Sequence, residues 1–121
     1  MDDTLFKVGE YTEKFNALTG QDLPLLDIVQ STGLEKHVLK RHPLDIEYLE
    51  KISDIITFPD YIGQNPKEPN SIELIKSYSD DVQIAIKLDS KNNYYFVASL
   101  YQITKKKIKN RLFSGRLKEY I

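Results

Sequence analysis

The apolar residues of this chain follow two periods in turn. From Leu34 to about residue 58 they recur at helical spacing, and from Ser71 to Thr104 they alternate with polar residues. The first stretch is mixed. Thr4 to Tyr11, with Leu5, Phe6 and Val8 apolar, fits an edge strand or the start of a helix running to Leu18, and Thr19-Gly20-Gln21-Asp22 is a turn signal. Leu23 to Val29 is apolar but holds Pro24 and Asp27, which suits an edge strand or an extended lead-in. Thr32 with Glu35 makes a capping box, since a hydroxyl and a carboxylate at that spacing can satisfy free N–H groups of a first helical turn. Leu34 and Val38 then mark one face of a helix, and Pro43 ends it by holding His42 extended. Asp45 suits the N-cap of a second helix, Ile46 to Ile56, whose inward stripe is Ile46, Leu49, Ile52 and Ile56. Phe58-Pro59 stops it. Asp60 to Asn70 contains Gly63, Pro66 and Pro69 and reads as a long loop, the segment best suited to move.

Three strands follow. Ser71 to Tyr78 is the first, with a turn at Ser79-Asp80-Asp81. In the second, Val82, Ile84, Ile86 and Leu88 alternate with Gln83, Ala85, Lys87 and Asp89. After the polar hairpin Asp89 to Asn93, the strand Tyr94 to Thr104 carries Phe96, Ala98 and Leu100 on one face and Tyr95, Val97, Ser99, Tyr101 and Ile103 on the other. Short turns between consecutive strands make an antiparallel meander, and nothing requires a parallel crossover. Thr104 can cap a last helix, Lys105 to Phe113, which Ser114-Gly115 ends, and Arg116 to Ile121 can add a final strand. The fold class is α+β, with helices packed on one face of an antiparallel β-meander and Lys87, Ser99 and Tyr101 pointing from the other.

Composition narrows the functions open to this fold. A chain of 121 residues makes one domain, 1–121. It has no cysteine, which excludes disulfides, a thiol nucleophile and thiolate metal sites. No apolar run reaches the length of a membrane span, and the acidic start MDDTLFKVGE has no apolar core of a Sec signal peptide, so the expected location is cytoplasmic, with no membrane partner. Net charge is −1 but unevenly spread: residues 1–104 hold 10 Lys/Arg and 17 Asp/Glu, while residues 105–121 hold 7 Lys/Arg and a single Glu. A basic segment on an acidic body is either an anion-binding footprint, carried by Lys105, Lys106, Lys109, Arg111 and Arg116, or a solvated helix face.

Both histidines fall in one stretch, Ser31 to Pro43. His37, Lys40 and Arg41 recur at i, i+3 and i+4. Three cation-capable groups gathered in that way disfavour an isolated helix and make sense opposite an anion. The plainer account is a solvated helix end with a surface histidine, and His42 before Pro43 can simply bond the terminal carbonyls. Lys87 and Ser99 likewise have ordinary accounts as a solvated strand lysine and a small packing residue, and Tyr94, Tyr95 and Tyr101 either stack bases or pack the sheet. Two histidines without an HExxH pair or a carboxylate at ligand spacing argue against zinc. There is no glycine-rich phosphate loop, and no cofactor is expected.

Gly33-Leu34 through His37, Lys40-Arg41-His42-Pro43, Pro59-Asp60-Tyr61-Ile62-Gly63, the strands Val82–Leu88 and Tyr95–Tyr101, and Gly115-Arg116-Leu117 together resemble the phage-associated branch of the BECR nucleases (barnase, EndoU, colicin-type and RelE-like). The resemblance covers about residues 25 to 120, a nuclease-like domain 25–121 behind an N-terminal stretch, 1–24, that it does not place. It implies a metal-independent ribonuclease toxin of phages, mobile elements and polymorphic toxin systems, restrained by a cognate antitoxin or immunity protein. It also implies a catalytic set of a helical histidine with basic and hydroxyl residues on the sheet. His37, Lys40 and Arg41 match the helix part; Lys87, Ser99 and Tyr101 match the sheet part, and His42 is a second acid–base candidate. Such chemistry needs a base for the 2′-OH proton, cations for the charged phosphorane and an acid for the 5′ oxygen, and the 2′-OH makes the substrate RNA. The competing expectations are a non-catalytic RNA- or phosphate-binding module, and an interaction protein of a phage or mobile element whose histidines are structural.

Overall fold

The computed structural model describes residues 4–121; Met1, Asp2 and Asp3, part of the acidic start, lie outside them. In chain order the elements are β1 (Leu5–Glu10), α1 (Glu13–Thr19), β2 (Asp27–Ser31), α2 (Gly33–Arg41), a 3-10 segment (Pro43–Lys51), α3 (Ile52–Thr57), β3 (Tyr61–Gly63), β4 (Ser71–Ser77), β5 (Asp81–Asp89), β6 (Tyr94–Gln102), α4 (Lys105–Ser114) and β7 (Leu117–Glu119). The strands form one sheet in the order β1-β2-β6-β5-β4-β3-β7. The α+β class stands, and β4, β5 and β6 form the antiparallel meander that their alternation demands.

The alternation also divides the core. Ile72, Leu74, Val82, Ile84, Ile86, Tyr95, Val97 and Leu100 turn to one face, where Phe15 of α1, Leu34 and Val38 of α2, and Ile52, Ile55 and Ile56 of α3 cover them. Helices therefore pack mainly on one side, as expected, but α4 does not join them. Ile75 points the other way, and with Ile103, Ile108 and Leu117 it makes a second, smaller cluster under α4.

The early elements depart from expectation for local reasons. Residues 5–19 form a strand and then a helix, not one or the other. β2 begins at Asp27 instead of Leu23, because Pro24 has no N–H to give a ladder and its carbonyl instead accepts the Tyr95 hydroxyl at 2.6 Å. β2 is not an edge: it lies between β1 and β6 and runs parallel to β6, with Ile28 opposite Tyr95 and Val29 opposite Phe96. A parallel pairing is thus present, bridged by the helices and the first strands of the meander.

The capping box does not form. Thr32 is already helical, and its Oγ1 accepts the Thr4 N–H at 3.0 Å, while Ser31 Oγ accepts the Gly33 N–H at 3.0 Å. The second helix divides into the 3-10 segment and α3. Asp45 is buried and caps nothing; its Oδ2 accepts the Gln102 N–H at 3.0 Å and pins the 3-10 segment to the end of β6. The Asp60–Asn70 stretch is not all loop, since β3 lies in it, paired with β4 on one side and β7 on the other. The last helix is as read: Thr104 Oγ1 accepts the Lys107 N–H at 3.2 Å, and Gly115, at φ 85°, closes α4 in the left-handed conformation that glycine adopts without strain.

Gly63 fixes how β7 approaches. It pairs with Glu73 and with Leu117, and a Cβ on it would lie 2.3 Å from the Arg116 carbonyl oxygen. Backbone cannot give way as a flexible side chain can. Gly63→Ala is therefore expected to cost about 1–3 kcal/mol in urea unfolding, by forcing β7 and Arg116 away from the sheet. An unchanged midpoint would show that this close approach is not needed.

Candidate active site

The polar positions of the meander converge on the face turned away from α1, α2 and α3. Register sets Glu73 opposite Ala85, Gln83 opposite Tyr101, Ala85 opposite Ser99, and Lys87 opposite Phe96. Simple alternation would have put Phe96 with Ala98 and Leu100. A bulge, seen as the register shift between Ala85 and Ile86, leaves Ala98 unpaired and reverses the remainder, so that Phe96, Ser99 and Tyr101 share this face while Tyr95, Val97 and Leu100 turn into the core. Lys87, Ser99 and Tyr101 thus share the face opposite α1, α2 and α3, as expected, but through that bulge, and α4 covers part of the face.

At the centre of this face is Glu73, only 4% exposed. Its carboxylate takes the fork of Arg116, Nε to Oε1 and Nη2 to Oε2, both at 2.9 Å. Gln83 Nε2 donates to Oε2 at 3.0 Å, and Arg111 Nη1 stands 3.5 Å away. Gln83 is fully buried and knits the group together: its amide nitrogen also donates to Tyr101 Oη at 2.6 Å, and its amide oxygen accepts from Arg111 Nη1 at 2.7 Å. That orientation is dictated by chemistry, since a carboxylate only accepts and a guanidinium only donates. A buried carboxylate is tolerable because it is paired and hydrogen-bonded. Two cations surround one anion, so the cluster as a whole is positive, and Arg116 has spent only Nε and Nη2 on the carboxylate.

His42 reaches this cluster from α2. Its N–H donates to the Val38 carbonyl at 2.7 Å and its own carbonyl accepts the Asp45 N–H at 2.9 Å. The backbone is thus held on both sides of Pro43, and the imidazole lies 5.3 Å, centroid to centroid, from the Tyr101 ring. His37, Lys40 and Arg41 are exposed on α2, and among the described residues no hydrogen bond or ion pair joins His37 to the sheet. Lys40 and Arg41 also occupy the last turn of α2, where cations suit the helix dipole. Lys87 is half-exposed and 3.5 Å from Glu68, and Ser99 is half-buried between Tyr101 and Phe96.

The basic C-terminal segment divides as well. Arg111 and Arg116 are committed to Glu73, and Lys105 bridges Asp81 at 2.9 Å. Burial pushes the Asp81 carboxyl up, but hydrogen bonds from Ser77 and Lys105 more than offset it and hold the group below the usual carboxylate range. Lys106, Lys107 and Lys109 stay exposed. Lysines in the first turn of α4 oppose its dipole, so helix stability alone does not account for them. Tyr95, one of the tyrosines considered for base stacking, is excluded from that role: it is fully buried, stacked on Tyr11 at 4.4 Å, and burial pushes its phenol up to about 12.

Glu73 and Gln83 escaped the reading of the sequence. A lone Glu within alternating β4 looks like a wet-face residue. The signal was that Ile72, Leu74 and Ile75 make both faces of β4 apolar, so the one charge between them had to be buried and paired.

A groove of about 700 Å³ lies on the other side of the molecule, between β1 and the 3-10 segment, but Glu35, Glu47 and Glu50 line it, the wrong sign for a phosphate chain. Among the described residues no group of three or more His, Asp or Glu side chains gathers at metal-ligand spacing, and no helix is long and apolar enough to cross a membrane.

The family model described as phage-Barnase-EndoU-ColicinE5/D-RelE like nuclease3 matches residues 6–110. The chain belongs to this family of nuclease-like domains. The match begins within β1 and therefore includes most of the segment that the sequence resemblance had not placed. Neither curated proteins nor solved structures give a match to the chain.

Proposed function

We propose that this domain is a metal-independent RNA endonuclease of toxin type. The observation that carries the reading is the cationic cluster on the sheet face that α4 partly covers, Arg111 and Arg116 around buried Glu73, with the Tyr101 hydroxyl and the His42 imidazole at its rim. Each part has a task in transesterification. The 2′ oxygen bonds to phosphorus as the bond to the 5′ oxygen breaks. One group removes the 2′-OH proton, another protonates the departing 5′ oxygen, and the products are a 2′,3′-cyclic phosphate and a 5′-hydroxyl. Histidine suits both transfers near neutral pH. His42, beside Tyr101, takes the one nearest the cluster, and His37 on α2 takes the other. The N–H groups of Arg116 not spent on Glu73, with Lys40 and Arg41, stabilise the charge that grows on the phosphorane. Tyr101 accepts from Gln83, so its own hydroxyl proton is available to a phosphate oxygen, and Ser99 stands next to it as a second hydroxyl. Glu73 is a positioning group: it holds two guanidiniums in register. Lys105, Lys106 and Lys109 extend the positive surface along α4 for the RNA backbone.

With RNA as substrate, the working compartment is the cytoplasm of the producing or target cell. A cell that makes such an activity needs a cognate antitoxin or immunity protein, and the cationic cluster is the surface an acidic inhibitor would cover. The test is direct. Purified protein incubated with RNA in excess EDTA is expected to release fragments ending in 2′,3′-cyclic phosphate, and to leave DNA of the same sequence intact. Cleavage that needs a divalent cation, or that proceeds equally on DNA, overturns the reading.

A further inference from the structure

Phe96 is an aromatic side chain without a core. It is half-exposed and belongs to neither hydrophobic cluster, although it lies in the middle of the domain's central sheet. The Ala98 bulge puts it on the same face as Glu73, Gln83, Ser99 and Tyr101, and its cross-strand partners there are Lys87 on β5 and Val29 on β2. Between Phe96 and Tyr101 the floor is made of Ala85 and Ser99, a cross-strand pair of small side chains. The face is thus a saddle, with Tyr101 and the arginine cluster at one end and Phe96 with Lys87 at the other. Same-face residues on a strand are about 6.6 Å apart, so Gln83 and Lys87, four residues apart on β5, are separated by about 13 Å. An extended single strand can lie along that span with its backbone at the arginine end and a base at the Phe96 end.

We infer that Phe96 is a base-stacking subsite for single-stranded RNA, with the Lys87 ammonium contacting the neighbouring backbone phosphate. The inference rests on the reading of the cationic cluster as the phosphate site and says where the adjoining nucleobase goes. A partly exposed ring flanked by a cation offers a π-face and a charge, the pairing that single-stranded nucleic acids use, and stacking of this kind tolerates any base. In this role Phe96 sets preference for single-stranded over paired RNA, because a base in a duplex cannot lie flat on the sheet.

The chain has no tryptophan, so Phe96→Trp introduces one indole with no background. A 2′-O-methyl oligonucleotide lacks the attacking hydroxyl and reports binding without cleavage. Its addition is expected to quench the indole fluorescence of the Phe96→Trp variant, and an abasic residue at the stacked position is expected to abolish the quench. Phe96→Ala should weaken binding of the same oligonucleotide about 5- to 150-fold, the effect of losing one stacked base, and Phe96→Leu should do nearly the same while keeping the apolar bulk. Unchanged binding in both variants, or a quench indifferent to the abasic site, overturns the subsite. The two readings fail separately: base-dependent quenching without any RNA cleavage by the native chain supports the subsite and sinks the nuclease, whereas cleavage unaffected by Phe96→Leu and Phe96→Ala does the reverse.

Discussion

Replacing His42 by alanine is expected to slow RNA cleavage about 10²- to 10⁴-fold, the usual contribution of one positioned acid–base group. The expectation falls on His42 because the chain has fixed it. Its N–H is bonded into α2, its carbonyl into the 3-10 segment, and its ring lies against Tyr101, one hydrogen bond away from Gln83 and the arginines. A proton-transfer group works only when held at the reacting atoms, and a misplacement of about 1 Å costs on the order of 10²-fold. His37→Ala, on an exposed face of α2, is expected to lose less. Urea unfolding of both variants separates chemistry from folding. If His37→Ala is dead and His42→Ala cleaves at the native rate, the roles are reversed, and the His37, Lys40 and Arg41 face of α2 becomes the site.

Glu73→Gln is expected to lower stability by about 3 kcal/mol and turnover by on the order of 10²-fold. Removing one partner of a buried ion pair leaves its counterpart charged and unpaired, which costs about 3–5 kcal/mol when the pair is fully enclosed. Here the side chains of Arg111 and Arg116 keep 17% and 25% exposure, so water recovers part of the loss and the lower end applies. The same substitution frees two guanidiniums, so RNA should bind at least as tightly as before while the chemical step slows. That split between affinity and turnover is what positioning predicts. A purely structural carboxylate would change stability alone, and a variant with native turnover would remove Glu73 from the mechanism. Arg116→Ala should be comparably destabilising, and in the double variant the two losses should fall well short of additive, since the two groups share one contact.

The meander, α2 and its stop at Pro43, and the capped helix α4 were legible because each is written in neighbouring residues: alternation, a proline, a threonine followed by a turn glycine. The site was only half legible. Lys87, Ser99 and Tyr101 could be assigned to one face, but the strand pattern put Phe96 on the wrong side, because one unpaired residue, Ala98, reverses a strand without any local mark. The parallel pairing of β2 with β6 and the insertion of β3 between β4 and β7 were hidden for a related reason. Each strand is short, and what selects its neighbour lies dozens of residues away: the Tyr95 hydroxyl on Pro24, or the bare Cα of Gly63 under Arg116. Glu73 was overlooked because its partners, Arg111 and Arg116, are 38 and 43 residues downstream. The basic segment was noticed for its charge, but its match to a single buried carboxylate exists only once the sheet has closed.

That separation has a consequence for synthesis. Glu73 leaves the ribosome well before either guanidinium, and β7, which fixes Arg116 against β3, follows β1 through β6. A chain whose meander has already paired still carries an uncompensated acid at the centre of this face until those arginines arrive. The last helix and strand therefore complete the charge of this face: the cluster turns positive only once Arg111 and Arg116 have been made and seated.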